Sequence, residues 1–251
     1  MDYLKPKIAI HQPNYLPWIG YFFKIYLVDH FVLHDHVIFS TSSYTKRCLI
    51  RKEYFEQDIQ KLTIPVKKNS QSFIHEIEID HNSVKIAKHL KKFEYLFHNT
   101  PYFPYYFPIL EKAISQINDF KFLADYNIHL IQTICTMLDL ETEFSRSSKL
   151  GFSSKGHELN LDIIKHIGGR SYFSGVGAKT YQTDEDFERM NCKLIYVDPS
   201  QYFKTHPYPQ HQGDYIPGLS IIDSIMNVGT SGILEIFSKM KQWMEATNNL
   251  S

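Results

Sequence analysis

The stretch that decides the fold is residues 7–28, which read KIAIHQPNYLPWIGYFFKIYLV. Apolar residues up to Ile10 predict a short strand that ends at His11 and Gln12, because the proline that follows disfavours helix for the residue before it. Pro17 suits the first position of a helix, and the apolar residues after it recur at close to the helical period. The stretch therefore predicts a strand, a polar loop and a helix.

The rest of the chain alternates between strands and helices. Apolar or alternating runs predict strands at 31–33, 47–51, 61–66, 74–79, 170–174 and 192–197. Helical periodicity predicts helices at 83–97, 108–117, 122–138, 158–167, 184–190, 221–227 and 233–246. The proline-rich segments 99–107 and 198–218 are expected to be irregular. We expect one α/β domain over residues 1–251, with a mixed or parallel sheet flanked by helices and a helical segment at about 83–140.

The composition excludes several classes of protein. Twenty-seven Lys and Arg balance 27 Asp and Glu, whereas general nucleic-acid binding relies on excess positive charge. With 43% hydrophobic residues the chain is too apolar to be disordered, yet Lys24 interrupts its longest apolar run, which is too short to span a membrane. Neither a signal segment nor paired cysteines are evident. We therefore expect a cytoplasmic protein with no transmembrane segment and no nucleic-acid partner.

Four polar residues of the opening loop are the first candidate binding groups: His11, Gln12, Asn14 and Tyr15. They lie between a strand and a helix, where open α/β sheets bind ligands. His11 could act as a general base, because an unperturbed imidazole has a pKa near neutrality. Gln12 and Asn14 could supply hydrogen bonds. The alternative is that His11 and Tyr15 only brace the proline-rich turn.

A second polar cluster, His34-Asp35-His36, follows the second strand. In an extended segment the two histidines would point to one face and could bind zinc. No further ligand stands at a diagnostic spacing, so the sequence predicts no metal site and favours a hydrogen-bonded polar cluster.

A third candidate is the loop Ser174-Gly175-Val176-Gly177-Ala178-Lys179. Small residues after a strand let backbone amides at Ser174, Gly175 and Gly177 approach a ligand, and Lys179 could pair with a phosphate. The spacing matches neither a Walker A loop nor a dinucleotide-binding fingerprint. A tight exit from the strand explains the glycines equally well.

The segment 206–223 holds further candidate substrate-binding residues, namely Tyr208, Gln210 and Ser220, and a candidate catalytic carboxylate, Asp223. Ser220 and Asp223 could instead cap the next helix. No GxSxG elbow supports a hydrolase triad. We expect this segment and the glycine loop to face the opening loop across one pocket, because burying either set alone would leave polar groups unpaired.

The motif IHQPNYLPWIGYFFKI resembles the WbqC-like family, proteins encoded with bacterial O-antigen and other surface-polysaccharide genes. The resemblance continues through FVLHDHVIF, KLTIPV, PYFPYY, YFSGVGAKTY and LSIIDSIMNVG in the family's order. Two positions depart from the family pattern. The family's Asp-Asp-Val-Gln is DHVI at 35–38, so Asp35 alone carries over as a candidate catalytic acid. Its Asn-Arg is Lys46-Arg47, so only Arg47 carries over, as a substrate-binding residue.

The resemblance implies a cytoplasmic enzyme of surface-polysaccharide biosynthesis that acts on a nucleotide-linked or lipid-linked sugar. Because amino sugars in that context carry N-acyl groups, it also implies acyl or aminoacyl transfer, with acyl-CoA or acyl carrier protein as the candidate co-substrate and no certain cofactor. His11 would take a proton from the sugar amine, while Arg47 and Lys179 would hold a pyrophosphate. The alternative is a non-catalytic sugar-binding or assembly protein.

Overall fold

The structure is a computed structural model that describes residues 4–67 and 71–248. Its strands are β1 (Lys7–His11), β2 (His30–Leu33), β3 (Arg47–Arg51), β4 (Ile59–Thr63), β5 (Glu143–Arg146), β6 (Ser171–Gly175) and β7 (Lys193–Val197). Its helices are α1 (Ile19–Tyr26), α2 (Ile86–Phe97), α3 (Phe103–Ser115), α4 (Leu123–Met137), α5 (Gly156–Ile167), α6 (Asp184–Glu188), α7 (Pro199–Thr205) and α8 (Ile221–Asn248). The predicted α/β class and the helical middle segment, α2 to α4, are confirmed.

The central sheet has five strands in the order β5-β2-β1-β6-β7, and every neighbouring pair is parallel. From β1 the chain passes through α1 to β2 on one side, and it later returns through α5 to β6 on the other side. The strand order therefore reverses beside β1. In open α/β sheets this reversal leaves a crevice at the carboxyl ends of the strands, where ligands bind.

The alternation of side chains along the strands buries both faces of the sheet. Ile8 and Ile10 of β1 belong to a cluster that includes residues of α5 and α6. Ala9 and Phe31 point the other way, into a larger cluster that includes residues of α1, α3, α4 and α8. The antiparallel pair β3–β4 contributes Cys48 to this larger cluster. Such two-sided burial is typical of parallel sheets covered by helices.

Several predicted elements differ from the structure. The segment predicted as a strand at 74–79 is a 3-10 turn over Ile74–Glu76 followed by extended residues, and the backbone oxygen of Ile77 accepts from the start of α4. The segment 99–107 is partly helical, since α3 begins within it. One proline lies in the first turn of α3, where its missing N–H breaks no helical bond, so it does not prevent the helix. The segment 198–218 contains α7, and β5 was not predicted.

Helix α8 is broken at Gly229, which has a φ of 69°. A Cβ on this residue would lie 2.6 Å from the ring of Tyr102, so glycine is required both for the backbone conformation and for the close approach. The break matches the two separate helices predicted at 221–227 and 233–246. In the part of the chain that the structure describes, no helix combines the length and apolar character needed to cross a bilayer.

Candidate ligand-binding site at the carboxyl edge of the sheet

A polar cavity opens where β1 and β6 separate. The two strands pair at Lys7–Ser171 and Ile8–Tyr172, and this pairing stops three residues before the end of each strand. A cavity of about 510 Å³ lies at these ends, at the point where the strand order reverses. We call it the polar cavity. It is lined by Ile10, His11, Gln12, Asn14, Lys24, His34, Ser40, Ser43, Tyr44, Asn160, Tyr172, Ser174, Gly175, Gly177, Ala178 and Tyr181.

The structure brings six of the sequence-predicted site residues to this one cavity. They come from the opening loop and from the glycine loop, and they are His11, Gln12, Asn14, Ser174, Gly175 and Gly177. The two loops follow neighbouring parallel strands, so their starts meet at the same edge of the sheet. The expected juxtaposition of these two loops is therefore present, with His11 on the central strand.

His11 ends β1 on the face that α1 covers. Its ring stacks on Tyr21 with centroids 4.8 Å apart, and its Nδ1 lies 3.5 Å from Nζ of Lys24. Burial, then the positive charge of Lys24, and then electrostatic repulsion between the His11 and His34 rings when both are protonated, hold the pKa of His11 well below its usual value. The imidazole is consequently neutral at neutral pH, which is the form that accepts a proton.

Lys24 is a residue of the cavity that the sequence reasoning missed. It lies on α1 one turn after Tyr21, so both side chains reach the end of β1. Lys24 is only 6% exposed, and burial lowers the pKa of its amine to about 8. No carboxylate within the described residues forms an ion pair with it. A single charge inside the apolar run YFFKIYLV was the signal that could have identified it, since lysine is rarely buried without a partner.

Other buried polar atoms at the polar cavity lack a hydrogen-bond partner within the described chain. They are Nδ1 of His34 and Oδ1 of Asn160. Burial also lowers the pKa of His34 to about 4, so its ring is neutral. By contrast, the Ser174 hydroxyl already donates to Oε1 of Gln182 at 2.9 Å. Buried polar groups in proteins are rarely left unpaired, so these atoms are available to bond a polar ligand or water in the cavity.

Gln12 is oriented by two hydroxyl groups. Ser43 Oγ and Thr45 Oγ1 each lie 3.4 Å from its Oε1 and 2.6 Å from each other, so one hydroxyl donates to Oε1 and the other donates to its neighbouring hydroxyl. With the side-chain oxygen held in this way, the NH₂ group of Gln12 remains as a donor at the edge of the cavity. Such a donor can stabilise negative charge on a bound group.

A second cavity of about 390 Å³ lies on the other side of the opening loop. We call it the apolar cavity, because most of its lining is apolar. It is lined by His11, Asn14, Tyr15, Leu16, Pro17, Trp18, Tyr44, Arg47, Cys48, Leu49, Ser200, Pro217, Gly218 and Ser220. Three residues line both cavities, namely His11, Asn14 and Tyr44. His11 therefore stands between a polar and an apolar compartment.

Pro17 and Trp18 of the opening motif form part of the wall of the apolar cavity. A Cβ on Gly20 would lie 2.4 Å from Cζ2 of Trp18, so glycine lets the indole fold over the first turn of α1. Trp18 also forms a β-bridge with Ser220, which ties the opening loop to the start of α8. Leu16 has a φ of 41°, a strained conformation for a leucine. The motif is therefore a rigid support for the loop that follows His11.

Tyr15 faces the apolar cavity but is fully buried. Its hydroxyl lies 2.9 Å from Nδ1 of His89 on α2, and burial raises its pKa well above the usual value. This residue links the opening loop to the helical middle segment. Cys48, which lines the same cavity, has a thiol whose pKa is raised by burial, so it is a poor nucleophile.

Asp35 lies outside both cavities. Its carboxylate is fully buried and accepts hydrogen bonds from Arg146 Nε at 2.7 Å, from Ser147 Oγ and from the backbone and side chain of Ser148. These bonds occupy both oxygens, so the geometry gives Asp35 an anchoring role between the ends of β2 and β5. His36 stacks on Phe73, away from His34. Within residues 4–67 and 71–248, no group of three or more His, Cys, Asp or Glu could hold a metal ion.

The two cations expected to hold a pyrophosphate do not meet in the structure. Lys179 is exposed and packs its ammonium over the ring of Tyr196 at 4.9 Å, outside the polar cavity. Arg47 lines the apolar cavity and donates to the backbone oxygen of Thr41. Their predicted joint role therefore lacks support from the geometry, and Lys24 is the cation that faces the polar cavity.

Most of the predicted C-terminal site residues form a buried network elsewhere. Tyr208 donates to Oδ1 of Asp223 at 2.8 Å, and Oε1 of Gln210 accepts from the buried Arg51 at 3.0 Å. Burial raises the pKa of Asp223 to about 6. None of these residues lines either cavity, whereas Ser220 lines the apolar one and its Oγ accepts from the N–H of Ile222 at 3.4 Å. The C-terminal part of the chain thus contributes Ser220 and its neighbours to the apolar cavity. Tyr208, Gln210 and Asp223 contribute to neither cavity.

Comparisons with known proteins extend over most of the chain. The chain is 26% identical over 239 residues to "Uncharacterized protein Rv1507c" of Mycobacterium tuberculosis (strain ATCC 25618 / H37Rv), an alignment that covers 89% of this chain and 94% of the relative. No solved structure gives a significant match. Residues 12–235 match the WbqC-like protein family, a span that includes the glycine loop and the opening loop from Gln12 onward. The chain therefore belongs to the WbqC-like protein family.

Proposed function

We propose that the chain is a cytoplasmic enzyme of bacterial surface-polysaccharide biosynthesis that binds a nucleotide-linked amino sugar and transfers an acyl or aminoacyl group to its amine. The observation that carries the proposal is the position of His11 between two compartments of opposite character. A sugar with its phosphates suits the polar cavity, and an acyl chain suits the apolar cavity. Both substrates would then approach the same imidazole.

The proposed reaction is attack of the sugar amine on an acyl thioester, with acyl-CoA or acyl carrier protein as the co-substrate. A C–N bond forms and the C–S bond breaks, and the thiol leaves. The neutral imidazole of His11 takes the proton that the amine loses and returns it to the departing sulfur. The NH₂ group of Gln12 and the side chain of Asn14 would donate to the oxyanion that develops on the carbonyl oxygen.

A ligand screen tests the binding step. Wild-type protein is heated with UDP-, dTDP- and GDP-linked sugars, with and without an amino group, and separately with acetyl-CoA and a longer acyl-CoA. We expect at least one nucleotide-linked amino sugar to raise the melting temperature, because a ligand that binds only the folded state stabilises it. The same sugar incubated with the acyl donor should gain the mass of the acyl group. A flat response across the panel would contradict the proposal and favour an assembly role.

The role of His11 is tested by His11→Ala, with His81→Ala as the control. His81 is exposed on another surface and contacts the backbone oxygen of Phe120. We expect His11→Ala to abolish acyl transfer while the sugar still binds, and His81→Ala to leave both unchanged. Full transfer activity in the His11 variant would exclude this residue as the base.

A further inference from the structure

We propose that Lys24 forms an anion site in the polar cavity that holds a phosphate group of the substrate. The assignment of this anion to a nucleotide-linked sugar depends on the function proposed above, but the site itself follows from the geometry. Lys24 approaches the cavity from α1, while the two loops that frame it follow β1 and β6.

Burial is the first argument for a ligand at Lys24. The side chain is 6% exposed, and no carboxylate of the described chain pairs with it. An ammonium group in such a place is unfavourable unless an anion compensates the lost hydration. Its pKa of about 8 keeps most of the amine charged at neutral pH. The charge is therefore available to bind an anionic ligand, because it forms no stabilising ion pair within the described chain.

The space in front of the ammonium is the second argument. A Cβ on Gly175 would lie 3.7 Å from Nζ of Lys24, so any side chain at this position would extend into the room next to the charge. Gly175 has a φ of −77° and a ψ of 148°, an extended conformation that every residue can adopt. The backbone thus does not require glycine there. The absence of a side chain instead keeps the space open for a ligand.

The surrounding polar atoms are the third argument. Asn160 is only 8% exposed, and its Oδ1 lacks a partner within the described residues. Nδ1 of His34 also lacks a hydrogen-bond partner within the described residues, and both residues line the cavity with Lys24. These atoms can bond hydroxyl groups of a sugar, or bridging water, while Lys24 binds the phosphate. A phosphorylated sugar satisfies both kinds of group at once.

Binding of an anion at Lys24 would also change His11. The ammonium lies 3.5 Å from Nδ1 of the imidazole, and its positive charge opposes protonation of the ring. A phosphate on Lys24 would offset that charge, so the imidazole would become a stronger base when the substrate is bound. The nitrogen-15 titration of His11 in solution should therefore shift to higher pH when pyrophosphate is added.

The test measures binding of inorganic pyrophosphate by calorimetry to wild type, Lys24→Met, Gly175→Val and the control Lys112→Met. Methionine at position 24 keeps the length of the side chain but removes the charge. Valine at position 175 fills the space beside the ammonium but leaves the charge in place. Lys112 is an exposed residue of α3. We expect Lys24→Met and Gly175→Val to weaken binding at least tenfold, and Lys112→Met to bind as wild type does. Melting curves verify that each variant is folded.

Other outcomes separate this proposal from the function proposed above. Pyrophosphate binding that survives in Lys24→Met, or that is lost in Lys179→Met instead, overturns the Lys24 site even if a nucleotide-linked sugar binds elsewhere. Pyrophosphate binding that depends on Lys24, in a protein that no nucleotide-linked sugar stabilises, leaves the anion site intact and overturns the proposed substrate. Equal binding of acetate and pyrophosphate would show that the site does not prefer a phosphate over a carboxylate, and this result would contradict the proposal.

Discussion

Replacing Lys24 by methionine should make the folded protein more stable. Burial lowers the pKa of Lys24 from 10.5 to about 8, and each pH unit of such a difference corresponds to about 1.4 kcal/mol. The ammonium therefore costs the folded state about 3 kcal/mol at neutral pH. Methionine has a similar length and carries no charge, so Lys24→Met removes this cost and keeps the contacts of the alkyl chain. For a chain of this size we expect the melting temperature to rise by roughly 6–12 °C.

The pH dependence identifies the cause of this stabilisation. Since the pKa of Lys24 is lower in the folded state than in the unfolded state, the cost is fully present below pH 8. It falls as the pH rises from 8 through 10.5, and it vanishes above 10.5, where both states carry the neutral amine. The advantage of Lys24→Met over wild type should therefore be largest at pH 7, fall to about a quarter of that value at pH 10, and be nearly absent above about pH 11.

Urea denaturation of the two proteins at pH 7, 8, 9 and 10 measures this difference, and contributions from titrating groups that do not interact with Lys24 cancel between them. Lys112→Met is the matched control and should change stability by about 0.5 kcal/mol at most, as surface substitutions do. A Lys24 variant that is less stable than wild type at pH 7 would refute the reasoning. So would a stabilisation of the same size at every pH, because charge burial would then not be its source.

Three further substitutions test other parts of the structure. His11→Ala should abolish turnover with a small change in melting temperature, and the acid limb of the wild-type kcat/KM profile, which reports the free enzyme, should lie below the ordinary histidine value of 6.5. Asp35→Ala should destabilise the protein by about 3–5 kcal/mol in urea denaturation, because it leaves the Arg146 guanidinium without one of its carboxylate partners. Gly20→Ala should cost about 1–3 kcal/mol, because its Cβ would overlap the Trp18 indole.

Each of these expectations has a clear contrary result. A kcat/KM profile whose acid limb lies above 6.5 would mean that His11 is not the base or is not buried in the free enzyme. An Asp35 variant that is as stable as wild type but inactive would mean that Asp35 is a catalytic residue and not an anchoring one. Gly20→Ala with unchanged stability would show that the indole does not fold over α1. The control for that comparison is Gly177→Ala, because no atom lies within 4 Å of the methyl group that it adds.

Most strands and most helices could be predicted because their residues carry the pattern of burial. Ile8 and Ile10 alternate with Ala9 in the way that a strand between two helical layers requires. The start of the helix Phe103–Ser115 could not be identified from the same pattern, and the helix was predicted only from residue 108, since the prolines in 99–107 suggest irregular structure. One of them lies in the first turn, and only the position of the helix start reveals that it is harmless.

The candidate site was predictable where it depends on loops that follow strands. His11 and Gly175 meet because parallel strands end at one edge, and this follows from the alternation of strands and helices. Lys24 was missed because its role depends on what surrounds it after folding. Tyr208 and Asp223 were expected at the pocket because polar residues in an irregular segment suggest one. They instead bond each other beneath the surface, an arrangement that no local pattern distinguishes.

A co-crystal structure with the nucleotide-linked sugar selected by the thermal-shift screen tests the central claim most directly. We expect electron density for the ligand at the ends of β1 and β6, with a phosphate oxygen within hydrogen-bond distance of Nζ of Lys24 and the sugar beside His11. Density for the ligand at any other surface, with this cavity empty at saturating concentration, would contradict the claim that the opening loop and the glycine loop together form the substrate site.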